Sequence, residues 1–148
     1  MNPLKSFDEF VKEGKVRKQH ADISRSSYLA DEAESRMIFL KEMKGRIALS
    51  DPNANYFVEI AYDVIMELVR ARLLLDGFNA SGAYAHEAEV AYLRNIGFSE
   101  ADVRFVNELR YFRNGIVYYG KKLDSEYAGQ VLEFLENAYP KLKQAVKK

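Results

Sequence analysis

Asn107, Arg110, Asn114, Tyr118 and Lys121 recur at steps of three and four along one stretch of the chain. At about 100° per residue, that spacing places them along one ridge of a helix. The ridge carries two amides, a guanidinium, a phenol and an ammonium, and no carboxylate. Such a set suits an anion. Arg113 sits at the edge of the ridge, and its planar fork matches the geometry of a phosphate. Asn114 is placed to orient a phosphate or a sugar. Tyr118, with an ordinary pKa near 10, is a poor base at neutral pH, but it can donate a proton or stack on a nucleobase. These side chains support binding more readily than turnover. The competing reading is that Arg113 and Tyr118 only pair across a packing seam.

Other chemistries are poorly supplied. His86-Glu87 opens like a zinc-protease motif, but Val90 stands where the second ligand belongs. The chain has two histidines, His20 and His86. His86 reads as a helix-surface residue, and it is the one histidine inside an expected helix. There is no cysteine, which excludes disulfides, thiolate metal sites and cysteine nucleophiles. No glycine-rich phosphate loop and no serine nucleophile motif occurs. Glu59, Asp63 and Glu67 stand four apart and read as a solvated acidic face, or as partners for arginines of a neighbouring helix. No metal or other cofactor is assigned.

The elements that position these residues are helical. Residues 99–123 form the expected signature helix. Phe105, Leu109, Phe112, Ile116, Tyr119 and Leu123 are its expected core stripe. Val106 and Val117 lie off that stripe, and Gly115 removes bulk beside the ridge, so a second surface has room to approach. Upstream, Ser6 and Glu9 frame a short first helix that Gly14 ends. Lys12, Lys15, Arg17, Lys18 and His20 follow as a basic connector, read as a solvated loop. A long helix is expected over 22–48, with Leu29, Ala33, Met37, Leu40, Met43 and Ile47 inward. Asp51-Pro52 reads as N-cap and first helical residue of the next helix. That helix, over 52–76, is apolar on so much of its surface that it is the central one. Its widened apolar side includes Tyr56. Gly77 ends it. A shorter helix is expected over 83–95, stopped at Gly97. A last helix, capped by Asp124 or Ser125, passes through Pro140, which should bend it. No strand pattern stands out.

Arg113 and Asn114, in the penultimate long helix of a small all-helical chain, resemble the start of the signature of the HEPN family. The resemblance implies a dimerising helical bundle that binds nucleotides or cuts RNA without metal, often beside a nucleotidyltransferase partner. The family's histidine position is Tyr118 here. A tyrosine carried by some members two residues later is Gly120.

Length and charge agree with a modest reading. The 148 residues suit one domain spanning 1–148. A formal net charge of zero argues against a general nucleic-acid coat or an anionic-membrane binder. No signal-peptide core and no run of about 18 apolar residues occurs, so a cytoplasmic protein is expected. The sequence therefore predicts an all-α, up-down bundle of five to six helices. It is expected to be a homodimer that binds nucleotide or RNA through Arg110, Arg113, Asn114, Tyr118 and Lys121, without efficient catalysis. The alternatives are a toxin-type, metal-independent endoribonuclease using Arg113 with Tyr118 or His86, and a structural partner of a nucleotidyltransferase.

Overall fold

A computed structural model describes residues 3–147. The protein is an all-α bundle. In chain order it has α1 (Phe7–Lys12), β1 (Val16–Lys18), α2 (Ile23–Arg46), a 3-10 turn (Asp51–Asn53), α3 (Ala54–Leu75), β2 (Phe78–Ala80), α4 (Ala85–Ala91), α5 (Leu93–Ile96), α6 (Glu100–Tyr119) and α7 (Ser125–Ala145). Only Tyr92 separates α4 from α5, so the two form one interrupted helix of the length expected over 83–95.

Local chemistry sets the helix starts. The side chains of Ser6, Asp22, Ser99 and Asp124 each accept a backbone N–H from the first turn of α1, α2, α6 and α7. The restart at Asp51-Pro52 differs from expectation. Ser50 is the N-cap of the 3-10 turn, locked by Asn53, and the Asp51 carboxylate accepts the N–H of Ser125 instead. Asp51 therefore ties the start of α3 to the start of α7.

Long-range bonds define the directions. Near the start of α2, Asp22 donates to Leu74 O and Ser26 to Ala71 O near the end of α3, so those helices are antiparallel. Arg72, late in α3, donates to Ala145 O at the end of α7. Asn55, early in α3, bonds Lys121 O and the Leu123 N–H just past α6. The four long helices thus run alternately down and up. α3 is central, with most of its residues buried, and it packs on α2, α7, α6 and α4. Tyr56, however, faces outward.

Two further expectations are corrected. The basic connector is not all loop: Val16–Lys18 pairs antiparallel with Phe78–Ala80, Val16 buried and its charged neighbours outward. α6 is also rotated. Of the expected core stripe, Leu109 is buried and Phe105, Ile116 and Leu123 pack half-buried against the core, but Phe112 and Tyr119 are exposed, and Val103, Val106 and Asn107 are buried in addition. Phe105 and Phe112 also lie against α7, Phe105 stacking on Phe134 and Phe112 meeting Tyr127 edge-on. α7 runs through Pro140 to Ala145. Among the described residues, no helix is long and apolar enough to cross a membrane.

Candidate functional site

The rotation of α6 decides where the candidate residues go. Its inward face starts apolar, at Val103 and Val106, and turns polar one helical turn later, at Asn107, Arg110 and Arg113. These three face α3 and α4, not solvent opposite the core. Asn107 is buried, and Arg110 Nε donates to its Oδ1 at 3.0 Å. Arg110 also lies 3.9 Å from the Glu87 carboxylate of α4. Asn114 is half-buried and Tyr118 is 72 % exposed. Five residues on from Arg113, Tyr118 points about 140° away from it around the helix. Lys121 lies beyond the end of α6, in the turn to α7, with its stem about 3.5 Å from where a Gly115 Cβ would stand. The five residues of the expected ridge therefore do not line one groove. Arg110 and Arg113 stay together, and Tyr118 and Lys121 diverge.

What α6 meets on the inside was not expected. Arg113 lies over the ring of Tyr62 on α3, with its Cζ 5.4 Å from the ring centroid. Glu89 of α4, only 1 % exposed, accepts from Arg70 Nε at 2.6 Å and from Arg70 Nη2 at 3.0 Å. His86 Nδ1 is 3.3 Å from the same carboxylate. Burial pushes the Glu89 carboxyl up. The His86 hydrogen bond and Arg70 outweigh burial and hold it below its ordinary value. Burial pushes the Tyr62 phenol up to about 12, against the pull of Arg113, Arg110 and Arg70, with Glu89 adding to the rise. Tyr62, Arg70, Glu89, Arg110 and Arg113 thus share one electrostatic neighbourhood where α3, α4 and α6 meet.

One member is unbalanced. Among the described residues, the other half-buried arginines and lysines all have a carboxylate within 4.0 Å: Arg36 with Glu67, Arg70 with Glu89, Arg72 with Asp76, Arg94 with Glu100, Arg110 with Glu87, Lys15 with Glu13 and Lys143 with Glu34. Arg113 has none, and its Nε is buried without a hydrogen-bond partner. The hydroxyl of Tyr62 is in the same condition. Removing a cation from water without a counter-charge is costly. The ring of Tyr62 offsets part of that cost, and an incoming anion would offset more.

A comparison with protein families, curated proteins and solved structures finds no match to the chain.

The remaining surface features differ in kind. A cleft of about 290 Å³ beside Arg110 is lined by Lys15, Tyr84, Glu87 and Asn107 among others. Its Lys15 and Arg110 are already engaged by Glu13 and Glu87, so it does not call for an anion. The acidic line on α3 is partly internal: Glu67 is buried, and Arg36 of α2 donates to it at 2.6 Å. That is the pairing with a neighbouring helix allowed for above. Among the described residues, no three histidines or carboxylates stand close enough to hold a metal ion. Tyr62 and Glu89 escaped the sequence reading, yet each left a trace. Tyr62 places a phenol in the apolar inward face of α3 between Ala61 and Val64, and Glu89 sits between Ala88 and Val90 in an apolar run.

Proposed function

We propose that the protein is an HEPN-like helical bundle that binds nucleotide or RNA through phosphate at Arg113, acts as a homodimer, and has little catalytic activity of its own. The observation that carries this reading is the unbalanced guanidinium. A half-buried arginine without a carboxylate, in a protein that pairs its other half-buried arginines, is complementary to an anion brought from outside. Arg110, one turn earlier on the same face, is paired with Glu87, so the free positive charge there is that of Arg113. The resemblance noted at Arg113-Asn114 points to the same ligand class.

Titration with mononucleotides and short RNAs tests the reading. One charge-assisted contact contributes roughly 1.5–3 kcal/mol, so Arg113→Ala should weaken binding by about tenfold or more. Added salt should weaken it as well, because phosphate contacts release counterions. Wild-type affinity in Arg113→Ala would mean that the guanidinium serves packing alone.

RNA cleavage is the second reading, and one observation favours it. His86 Nδ1 lies 3.3 Å from the buried Glu89 carboxylate, the kind of pairing that orients a catalytic imidazole. Against it stands Tyr118 at the position of the family's histidine. Incubation with mixed-sequence RNA in EDTA should show little cleavage. Clear cleavage that disappears in His86→Ala would move the assignment to this second reading.

A further inference from the structure

Two neighbouring side chains each carry a polar atom that the fold leaves unsatisfied. Tyr62 is 2 % exposed, and its hydroxyl has no hydrogen-bond partner among the described residues. The Nε of Arg113, whose guanidinium covers the same ring, has none either. A buried donor without an acceptor is destabilising. Here two occur on neighbouring side chains, where α3 meets α6, with the Arg113 Cζ 5.4 Å from the centroid of the Tyr62 ring. A phenol can accept as well as donate, yet these two groups do not satisfy each other. One external group with several lone pairs can serve both.

We propose that the Tyr62 hydroxyl and Arg113 form a two-donor clamp for a terminal phosphate, the end group of a mononucleotide or of an RNA chain, in preference to a phosphodiester inside a strand. The proposal rests on the reading of Arg113 as a phosphate group. Both donors lie below the surface, so the acceptor must reach inward. A terminal phosphate hangs from one ester bond and can insert three free oxygens. An internal diester has two, and the sugars on either side hold it at the surface. Arg113 is half-exposed and tied by no ion pair, which leaves its guanidinium able to pivot and admit the group. Burial keeps the phenol protonated far above neutral pH, so it acts there as a donor.

The clamp predicts an opposition between stability and binding. Tyr62→Phe keeps the ring beneath Arg113 and removes only the unpartnered hydroxyl. The free protein should therefore melt a few degrees higher, while a terminal phosphate binds about tenfold more weakly. A hydroxyl with a structural role would lower the melting temperature instead.

The experiment is calorimetric titration and thermal melting of wild type, Tyr62→Phe and Arg113→Ala. The probes are AMP, adenosine, and one short RNA sequence phosphorylated at both ends or at neither. The expected result is that AMP and the phosphorylated RNA bind wild type at least tenfold more tightly than their unphosphorylated forms, and that Tyr62→Phe narrows this gap while melting higher. Equal affinity for the two RNAs overturns the preference for a chain end. Unchanged AMP affinity or a lower melting temperature in Tyr62→Phe overturns the role of the hydroxyl. In these cases a loss of binding in Arg113→Ala still leaves the wider phosphate reading standing. If no probe binds wild type, that wider reading fails and the clamp fails with it.

Discussion

At the scale of single residues, Glu89 is the side chain on which the interior of the α3–α4–α6 junction depends. It is almost wholly buried, and Arg70 and His86 both converge on it. Replacing it with glutamine leaves Arg70 half-buried without a counter-charge. Breaking a buried pair in this way costs roughly 3 kcal/mol at neutral pH, which chemical denaturation would measure. The pH dependence has a definite sign. The folded-state pKa of Glu89 lies below its ordinary value of 4.5. Its contribution is fully present above that ordinary value and is lost as pH falls through the lower, folded value. Wild type should therefore lose stability to acid over that interval, and Glu89→Gln should show a flatter profile there. Glu67 acts in the opposite sense. Burial raises its pKa despite Arg36, so protonation on acidification relieves it. A profile for Glu89→Gln as steep as wild type would place the acid sensitivity elsewhere.

At the scale of elements, glycines and aromatic contacts set geometry that apolar periodicity does not reveal. Gly77 follows α3 with φ 82°, and a Cβ there would stand 2.7 Å from the carbonyl oxygen of Gln19. The close approach is what lets Gln19 donate to Gly77 O and lets β1 lie beside β2. Gly77→Ala should cost more than the roughly 1–2 kcal/mol of a left-handed backbone alone, read as a shift in denaturation midpoint. Gly115→Ala should do the reverse. It meets only the flexible stem of Lys121 at ordinary contact distance, and it gains up to about 1 kcal/mol of helix propensity. The helices themselves were legible because each long one carries an apolar stripe and a polar cap residue, as in α2 with Leu29, Ala33, Met37 and Leu40 behind Asp22. The rotation of α6 was not legible. Its sequence offers two stripes at the same spacing, one through Phe105 and Phe112, the other through Val103 and Val106. Stacking of the aromatic stripe on Tyr127 and Phe134 of α7 decides between them, and no periodicity within α6 records that contact. The same contact turns Arg113 inward onto Tyr62. Arg113 was therefore singled out from sequence, while its neighbour was not. The strands were missed for a simpler reason: three residues are too few to show alternation.

At the scale of the whole molecule, the topology gathers apolar surface at one end. α2 and α6 finish there and α3 and α7 begin there, held by the bonds from Asn55 to the α6–α7 turn and from Ser125 to Asp51. Ile47, Tyr56, Val117, Tyr118 and Tyr119 are exposed at that end, and Phe39 extends the patch along the groove between α2 and α3. Val106, expected to join such a surface, is in the core instead. Exposed apolar side chains gathered at one end of a bundle are what an isologous dimer covers, which gives the proposed homodimer a location. Light scattering at tens of micromolar should show a dimer, and Val117→Glu should shift it to monomer, since a charge would be buried unpaired. A wild-type monomer at that concentration would refute the proposal. A monomeric variant then separates two ways of building the binding site. Tyr62 and Arg113 belong to the same chain, so one protomer would hold the complete proposed clamp. A glutamate at 117 would stand four residues from Arg113 and pair with it, so the monomer for this test is made with Ile47→Glu, which should bind AMP within a few-fold of wild type. It should bind a long RNA phosphorylated at both ends distinctly more weakly, because the dimer offers two clamps and the second contact gains from effective concentration. Loss of AMP binding in the monomer would show instead that the site is shared, with each Arg113 completing the site of its partner.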